Sequence, residues 1–189
     1  GAFGASLGAV SGAASQDYTG FGLTSDQYTS AANKQATDIA KSLVGILDTT
    51  AAAFGSSSRY TVGTGFADDS SKDGAWGALR ISKDGQIVSD WGMGADKWPG
   101  RTFSDGEAGR TEYLSAVASE IRTALKAETP AWAGVMMDAL GDTPTIEDLS
   151  AVVQQINAFQ KALHGLGVAM PQLAGLADET VTALVNAFG

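Results

Sequence analysis

The chain has 189 residues, enough for one domain with a tail or for two small ones, and its 44% apolar content can fill a real core. A formal net charge of −9, with twelve basic residues that nowhere form a run, excludes a surface built to neutralise nucleic-acid phosphates or an anionic membrane. The absence of cysteine excludes disulfides and thiolate-held metal sites, and a single histidine, His164, cannot build a His-rich one.

No uninterrupted apolar run reaches the roughly 20 residues a membrane-spanning helix needs. The chain begins at Gly1 with no basic stretch, so no signal peptide is expected and the sequence reads as a fragment of something longer. Residues 1–23, "GAFGASLGAVSGAASQDYTGFGL", have the Gly/Ala/Ser composition of a flexible, low-complexity lead-in. Gly4, Gly8 and Gly12 fall four apart, a spacing that lets helices approach closely, although chance in a Gly/Ala tract accounts for it more simply.

From Thr24 the pattern changes. Thr24 or Ser25 can cap a helix, and Tyr28, Ala32, Ala36, Ile39, Leu43, Ile46 or Leu47, and Ala51 keep helical spacing up to Phe54. Gly55 is a natural stop, so a long amphipathic helix is expected over 24–55. Its one-sided, Ala-rich stripe could serve self-association.

Residues 56–189 read as one α+β module. Tyr60, Val62, Thr64 and Phe66 alternate along a first strand, and 68–74, "DDSSKDG", form a polar loop. Strands at 75–82 and 86–91 flank Asp84-Gly85, which supplies the positive φ angles of a type I′ hairpin turn. Leu79, Ile81, Ile87 and Trp91 are expected on its buried face, and so small a meander (59–91) must lean on helices. A helix over 105–127 carries Tyr113, Leu114, Val117, Ile121 and Leu125. Pro130 opens a short helix that Gly141 closes, and Thr145 with Asp148 resembles a capping box for a helix to about His164. Asp178 caps a last helix through Phe188, so the helical cluster spans 105–188. The expected fold is α+β: a small three-stranded antiparallel meander packed against several amphipathic helices, with a long N-terminal helix.

Candidate chemistry is sparse. "GASLG" at Gly4–Gly8 matches a nucleophile elbow around Ser6 in letters, but no strand precedes it and only one histidine exists to serve as base. "DDSSKDG" resembles the opening of a calcium loop with Asp69, Ser71 and Asp73 as first ligands. Its twelfth position is Arg80, where a bidentate Glu belongs, so a solvated loop is the better account. His164, just before Gly165, reads as a helix-end residue interacting with the C-terminal dipole. Asp68/Asp69 and Glu147/Asp148 are sequence neighbours suited to a turn and a helix start, without the opposed placement of paired catalytic carboxylates. Trp76, Trp91, Trp98 and Trp132 invite a carbohydrate-stacking reading, with sheet cover as the plainer one. No catalytic, cofactor-binding or metal-binding residue is assigned.

The runs "GFADDSSKDGAWGALRISKDGQIVSDW", "RTFSDGEAGRTEYLSAVASEIRTAL" and "PAWAGVMMDALGDTPTIEDLSAVVQQI" resemble, in their order and pattern, the tape-measure proteins of bacteriophage and prophage tails. The similarity spans about residues 20–189 and includes the "AAAFGSSSRYTVGTGF" transition from a helical, Gly/Ala-rich region. It implies a non-enzymatic structural role in tail assembly and tail-length determination. The implied partners are copies of the same chain and the tail tube, tail chaperone and tail tip proteins. There is no implied cofactor and no sequence-specific nucleic-acid binding, and any membrane contact would belong to other parts of the parent chain. The implied location is the virion tail, with the host cytoplasm during assembly. The alternative from a different class is a carbohydrate- or peptidoglycan-binding module using exposed tryptophans.

Overall fold

The computed structural model describes residues 2–8, 14–15, 30–68, 74–91 and 100–166. The expected cap at Thr24 or Ser25, the loop positions 69–73, Trp98 and the expected helix from Asp178 to Phe188 lie outside these residues. The fold is α+β. Its elements run β1 (Ala2–Gly8), β2 (Ala14–Ser15), α1 (Ser30–Ala53), β3 (Tyr60–Asp68), β4 (Ala75–Lys83), β5 (Gln86–Asp90), β6 (Arg101–Phe103), α2 (Gly106–Glu128), α3 (Ala131–Asp138) and α4 (Ile146–Gly165).

The antiparallel sheet has strand order β2-β1-β3-β4-β5, with β6 also paired to β4. The expected meander β3-β4-β5 is therefore its centre and one side. The other side comes from the stretch read as a lead-in. β1 pairs with β3 over its whole length, from Ala2↔Ala67 to Gly8↔Thr61, and β2 pairs with β1. Gly, Ala and Ser have low strand preference and carry no alternating apolar signal, so this strand is set by its partner β3. Gly4 and Gly8 accordingly sit in a strand and not on a helix face.

The β3–β4 ladder runs nine residues, from Tyr60↔Lys83 to Asp68↔Ala75. Its inner face alternates as expected, with Tyr60, Val62, Thr64 and Phe66 buried beside Ala75, Leu79 and Ile81. Asp84 (φ 51°) and Gly85 (φ 81°) make the type I′ turn. The Asp84 carboxylate accepts the Arg59 N–H at 2.8 Å, and the Asp84 N–H donates to the Arg59 carbonyl at 2.8 Å, which pins the turn to the start of β3.

Ile87 is a correction. It was expected on the buried face and is 56% exposed, with Val88 52% exposed beside it. A two-residue turn pairs Ile87 with Ser82, whose side faces away from the helices. A bulge then moves the register so that Ile81 opposes Ser89. That extra residue brings Trp91 alongside Leu79, whose carbonyl accepts the Trp91 N–H at 2.9 Å. The bulge turns Trp91 inward and leaves Val88 outside.

The four helices close over the inner face of the sheet and share one core with it. α1 buries Ala40, Leu43, Val44, Ile46, Leu47 and Ala51, and α4 buries Leu149, Val152, Val153, Ile156, Phe159 and Leu163. The stripe of α1 read as a surface for self-association thus lies inside the fold. α4 starts with the expected capping box: the Asp148 N–H donates to Thr145 Oγ1 at 3.0 Å, and the Thr145 N–H returns a bond to the Asp148 carboxylate. α2 differs in detail. Asp105 holds the N-cap position without a side-chain bond, and Ser104 instead donates its N–H and hydroxyl to the Glu112 carboxylate. Arg122 donates to the Gly141 carbonyl at 2.6 Å, serving the end of α3.

Gly77 lies where the α2 side chain Tyr113 meets the sheet, and a methyl there would overlap the rings of both Tyr113 and Phe103. Gly77→Ala is expected to destabilise the protein by about 1–3 kcal/mol, the usual range for overpacking a filled core. Urea denaturation reads this as a lower midpoint, and an unchanged midpoint would contradict the packing described.

Candidate functional site

The polar side chains with chemical capacity concentrate along the sheet-facing side of α2, where Tyr113, Glu120 and Glu128 stand roughly two turns apart. Tyr113 is fully buried. Its hydroxyl donates to the Ala78 carbonyl at 3.0 Å and accepts the Gly65 N–H at 3.2 Å. Gly65 and Ala78 are register partners in β3 and β4, so the phenol sits within the ladder between the two central strands. Around its ring lie Phe66, Phe103 and Trp91, at centroid separations of 5.3, 5.7 and 6.2 Å. Burial pushes the phenol well above its usual range and keeps it a neutral donor.

Two turns on, Glu120 gathers three donors. Its Oε1 accepts Trp91 Nε1 and Arg101 Nη2, both at 3.2 Å, and its Oε2 accepts the Ser89 hydroxyl at 3.0 Å. The Arg101 guanidinium also lies 4.3 Å over the Trp91 ring. One carboxylate thereby ties α2 to β5, to β6 and to the residue between them.

At the end of α2, Glu128 has a side chain only 6% exposed and forms an ion pair with Lys83. The Tyr60 hydroxyl donates to it at 2.8 Å. Burial alone would raise the Glu128 carboxyl. Hydrogen bonds from Lys83, Tyr60 and Ser56, with the Lys83 charge, together outweigh that and hold it below the usual range. Burial and the bond to Glu128 push the Tyr60 phenol far up. Nearby Asp48 on α1 shifts the other way from Glu128: burial raises it, against the Tyr60 backbone N–H and the Arg59 charge.

Chemically, these groups are engaged. Glu120 and Glu128 are each surrounded by donors. Among the described residues, no group of three or more His, Cys, Asp or Glu side chains is placed to hold a metal ion, and no helix is long and apolar enough to cross a membrane.

The residues weighed from sequence are scattered. Ser6 is inside β1, with no strand-to-helix elbow around it. Arg80, at the twelfth position of the calcium-loop alignment, pairs with Asp90 at 2.8 Å. His164 is exposed in the last turn of α4, Asp68 ends β3, and Glu147 and Asp148 occupy the first turn of α4. Among the described residues the tryptophans form no stacking platform: Trp91 is 6% and Trp132 4% exposed, and Trp76 is half-buried. Trp132 is packed between Phe54 and Phe159 at 5.9 and 4.9 Å. Sequence reasoning placed Tyr113 only as a helical core residue and missed Glu120, Glu128 and Arg101, whose partners lie on other elements of the fold.

The open concave surface lies elsewhere. Between α1 and α4 runs a groove with sections of about 550 and 750 Å³, and a neighbouring one of about 560 Å³ lies where α1, α2 and the start of α4 meet. No protein-family model, no curated protein and no solved structure matches the chain.

Two outcomes follow from the α2 polar groups. Tyr113→Phe keeps the ring and strips the two ladder bonds, so it is expected to cost about 1–3 kcal/mol in urea unfolding. An unshifted midpoint would mean the hydroxyl is not in the ladder. The depressed Glu128 carboxyl contributes stability above its unfolded value of about 4.3, and that contribution is lost as pH falls through the lower folded value. The raised Asp48 works in the opposite sense, favouring the fold once protonated at low pH. Between pH 6 and 2.5 the parent's urea midpoint should therefore lose more with acid than that of Glu128→Gln, which should have the lower midpoint at pH 6. A variant curve parallel to the parent's would contradict the pairing.

Proposed function

We propose that the chain is a non-enzymatic structural module of a bacteriophage or prophage tail tape-measure protein, acting in tail assembly and tail-length determination. The observation that carries this reading is the use made of the reactive side chains. Tyr113, Glu120, Glu128, Lys83 and Arg101 all join elements of one fold, so what the module offers to its surroundings is shape and surface. The resemblance carried by the "FSDG" helix start, the Asp-Gly hairpin and the "PAWAG" helix points to the same family.

On this reading the module is a compact element of a longer ruler. A helix advances about 1.5 Å per residue, so contour length encodes tail length only where the chain is extended. Residues 30–166 fold back on themselves and would serve as a folded platform at the tip-proximal end, contacting tube, chaperone and tip proteins and other copies of the chain. A net charge of −9 suits an interior through which DNA must pass without adhering. The carbohydrate-binding alternative loses Trp91 and Trp132 as exposed rings, since both lie in the core.

The test is made on particles. Tails purified from the source phage or prophage should contain peptides of this chain by mass spectrometry, and an in-frame deletion of residues 30–166 should abolish tails or change their length in electron micrographs. Tails that lack the peptides, or that keep normal number and length after the deletion, would overturn the reading.

A further inference from the structure

We propose that the groove between α1 and α4 is the contact face of an antiparallel two-fold dimer, in which the α1–α4 pair of one copy packs on that of a second. The argument starts from Gly45. A glycine inside a helix costs about 0.5–1 kcal/mol relative to alanine, so its position calls for a reason. Gly109 in α2 has one within the fold, because a Cβ there would overlap the Ser104 carbonyl. Gly45 has none among the described residues: it is exposed, lines the groove, and none of their atoms lies within 4 Å of the Cβ it lacks. A missing side chain over open space suits a surface that another helix approaches closely.

The rest of the groove keeps the spacing of a helix–helix seam. On α1, Ser42, Gly45, Thr49 and Ala52 recur at steps of three and four, and on α4 Ser150, Gln154, Asn157 and Lys161 do the same. The apolar stripes of both helices point into the core, so this seam is a second, separate face.

Charge selects the occupant and its direction. α1 and α4 run the same way, since the Ser42 end of α1 lines the groove with Ile146 and its Phe54 end with His164. One end of the seam carries Glu147, the other Lys161. A second copy laid antiparallel brings acidic end to basic end at both termini, the self-complementarity that a two-fold interface requires. The axis then passes near Gln154, midway between Glu147 and Lys161, and sets Asn157 against Ser150 of the second copy. A face roughly 30 Å long and two helices wide covers about 600 Å² per copy, at the lower end of specific interfaces, so association in the micromolar range is expected.

This deepens the self-association within the proposed function but needs only the surface. A dimer outside any tail, or a monomeric tail protein, would separate the two readings. The chain has no cysteine, so Gln154→Cys introduces a single thiol. Mild oxidation should link it to itself, whereas Thr123→Cys on the exposed side of α2 should stay unlinked. Glu147→Cys and Lys161→Cys should link to each other several-fold better than either links to itself. Light scattering over about 5–500 µM should give a mass rising from one chain to two. Gly45→Trp should weaken dimerisation at least tenfold with the circular dichroism spectrum unchanged. Should that variant misfold, Lys161→Glu replaces it, with Glu147→Lys added to restore association. A one-chain mass at 500 µM, or equal linking of the Gln154 and Thr123 variants, would overturn the proposal.

Discussion

A single phenol holds the two layers of this protein together. The Tyr113 hydroxyl occupies a place within the β3–β4 ladder, accepting from Gly65 and donating to Ala78, while its ring fills the space above Gly77. An inserted side chain is an unusual member of a ladder, because buried backbone groups normally pair with each other. Here the insertion fixes α2 over the central strands in both distance and rotation. Phe66, Phe103 and Trp91 then pack around a ring that cannot slide.

From that anchor the rest of α2 follows. Helical spacing places Glu120 over the β5–β6 side, where it gathers Ser89, Trp91 and Arg101, and carries Glu128 to the hairpin end, where it meets Lys83 and Tyr60. Each contact joins residues distant in sequence, and each occupies a side chain that chemistry on a substrate would otherwise need. α1 and α4 likewise turn their large apolar residues into the shared core. The groove between them is lined largely by small and polar residues, among them Ser42, Gly45, Thr49 and Ser150.

Local features were legible in the sequence. Asp84-Gly85 could make only one kind of tight turn, Thr145 and Asp148 stood at capping-box spacing, and the stripe of α4 ran from Leu149 to Leu163 with helical regularity. The non-local features were not. β1 is composed of residues that signal a linker, and it is a strand because β3 offers it an edge. Ile87 was placed on the wrong face because a bulge leaves no mark in an alternating pattern. Tyr113 looked like any apolar position on a helix, since nothing near it in sequence tells that its hydroxyl reaches Gly65 and Ala78. Gly77 held the one clue, a glycine inside an otherwise regular strand, a position that often marks a close approach.

The anchoring role of Tyr113 is tested most directly by native-state hydrogen exchange at Gly65. If the phenol closes the ladder there, the Gly65 amide opens only with the whole fold and exchanges as slowly as the core amides of β4. Exchange of Gly65 at the rapid rate of the exposed turn residue Gly85 would contradict the account, because the central strands would then be open where the helix is said to hold them.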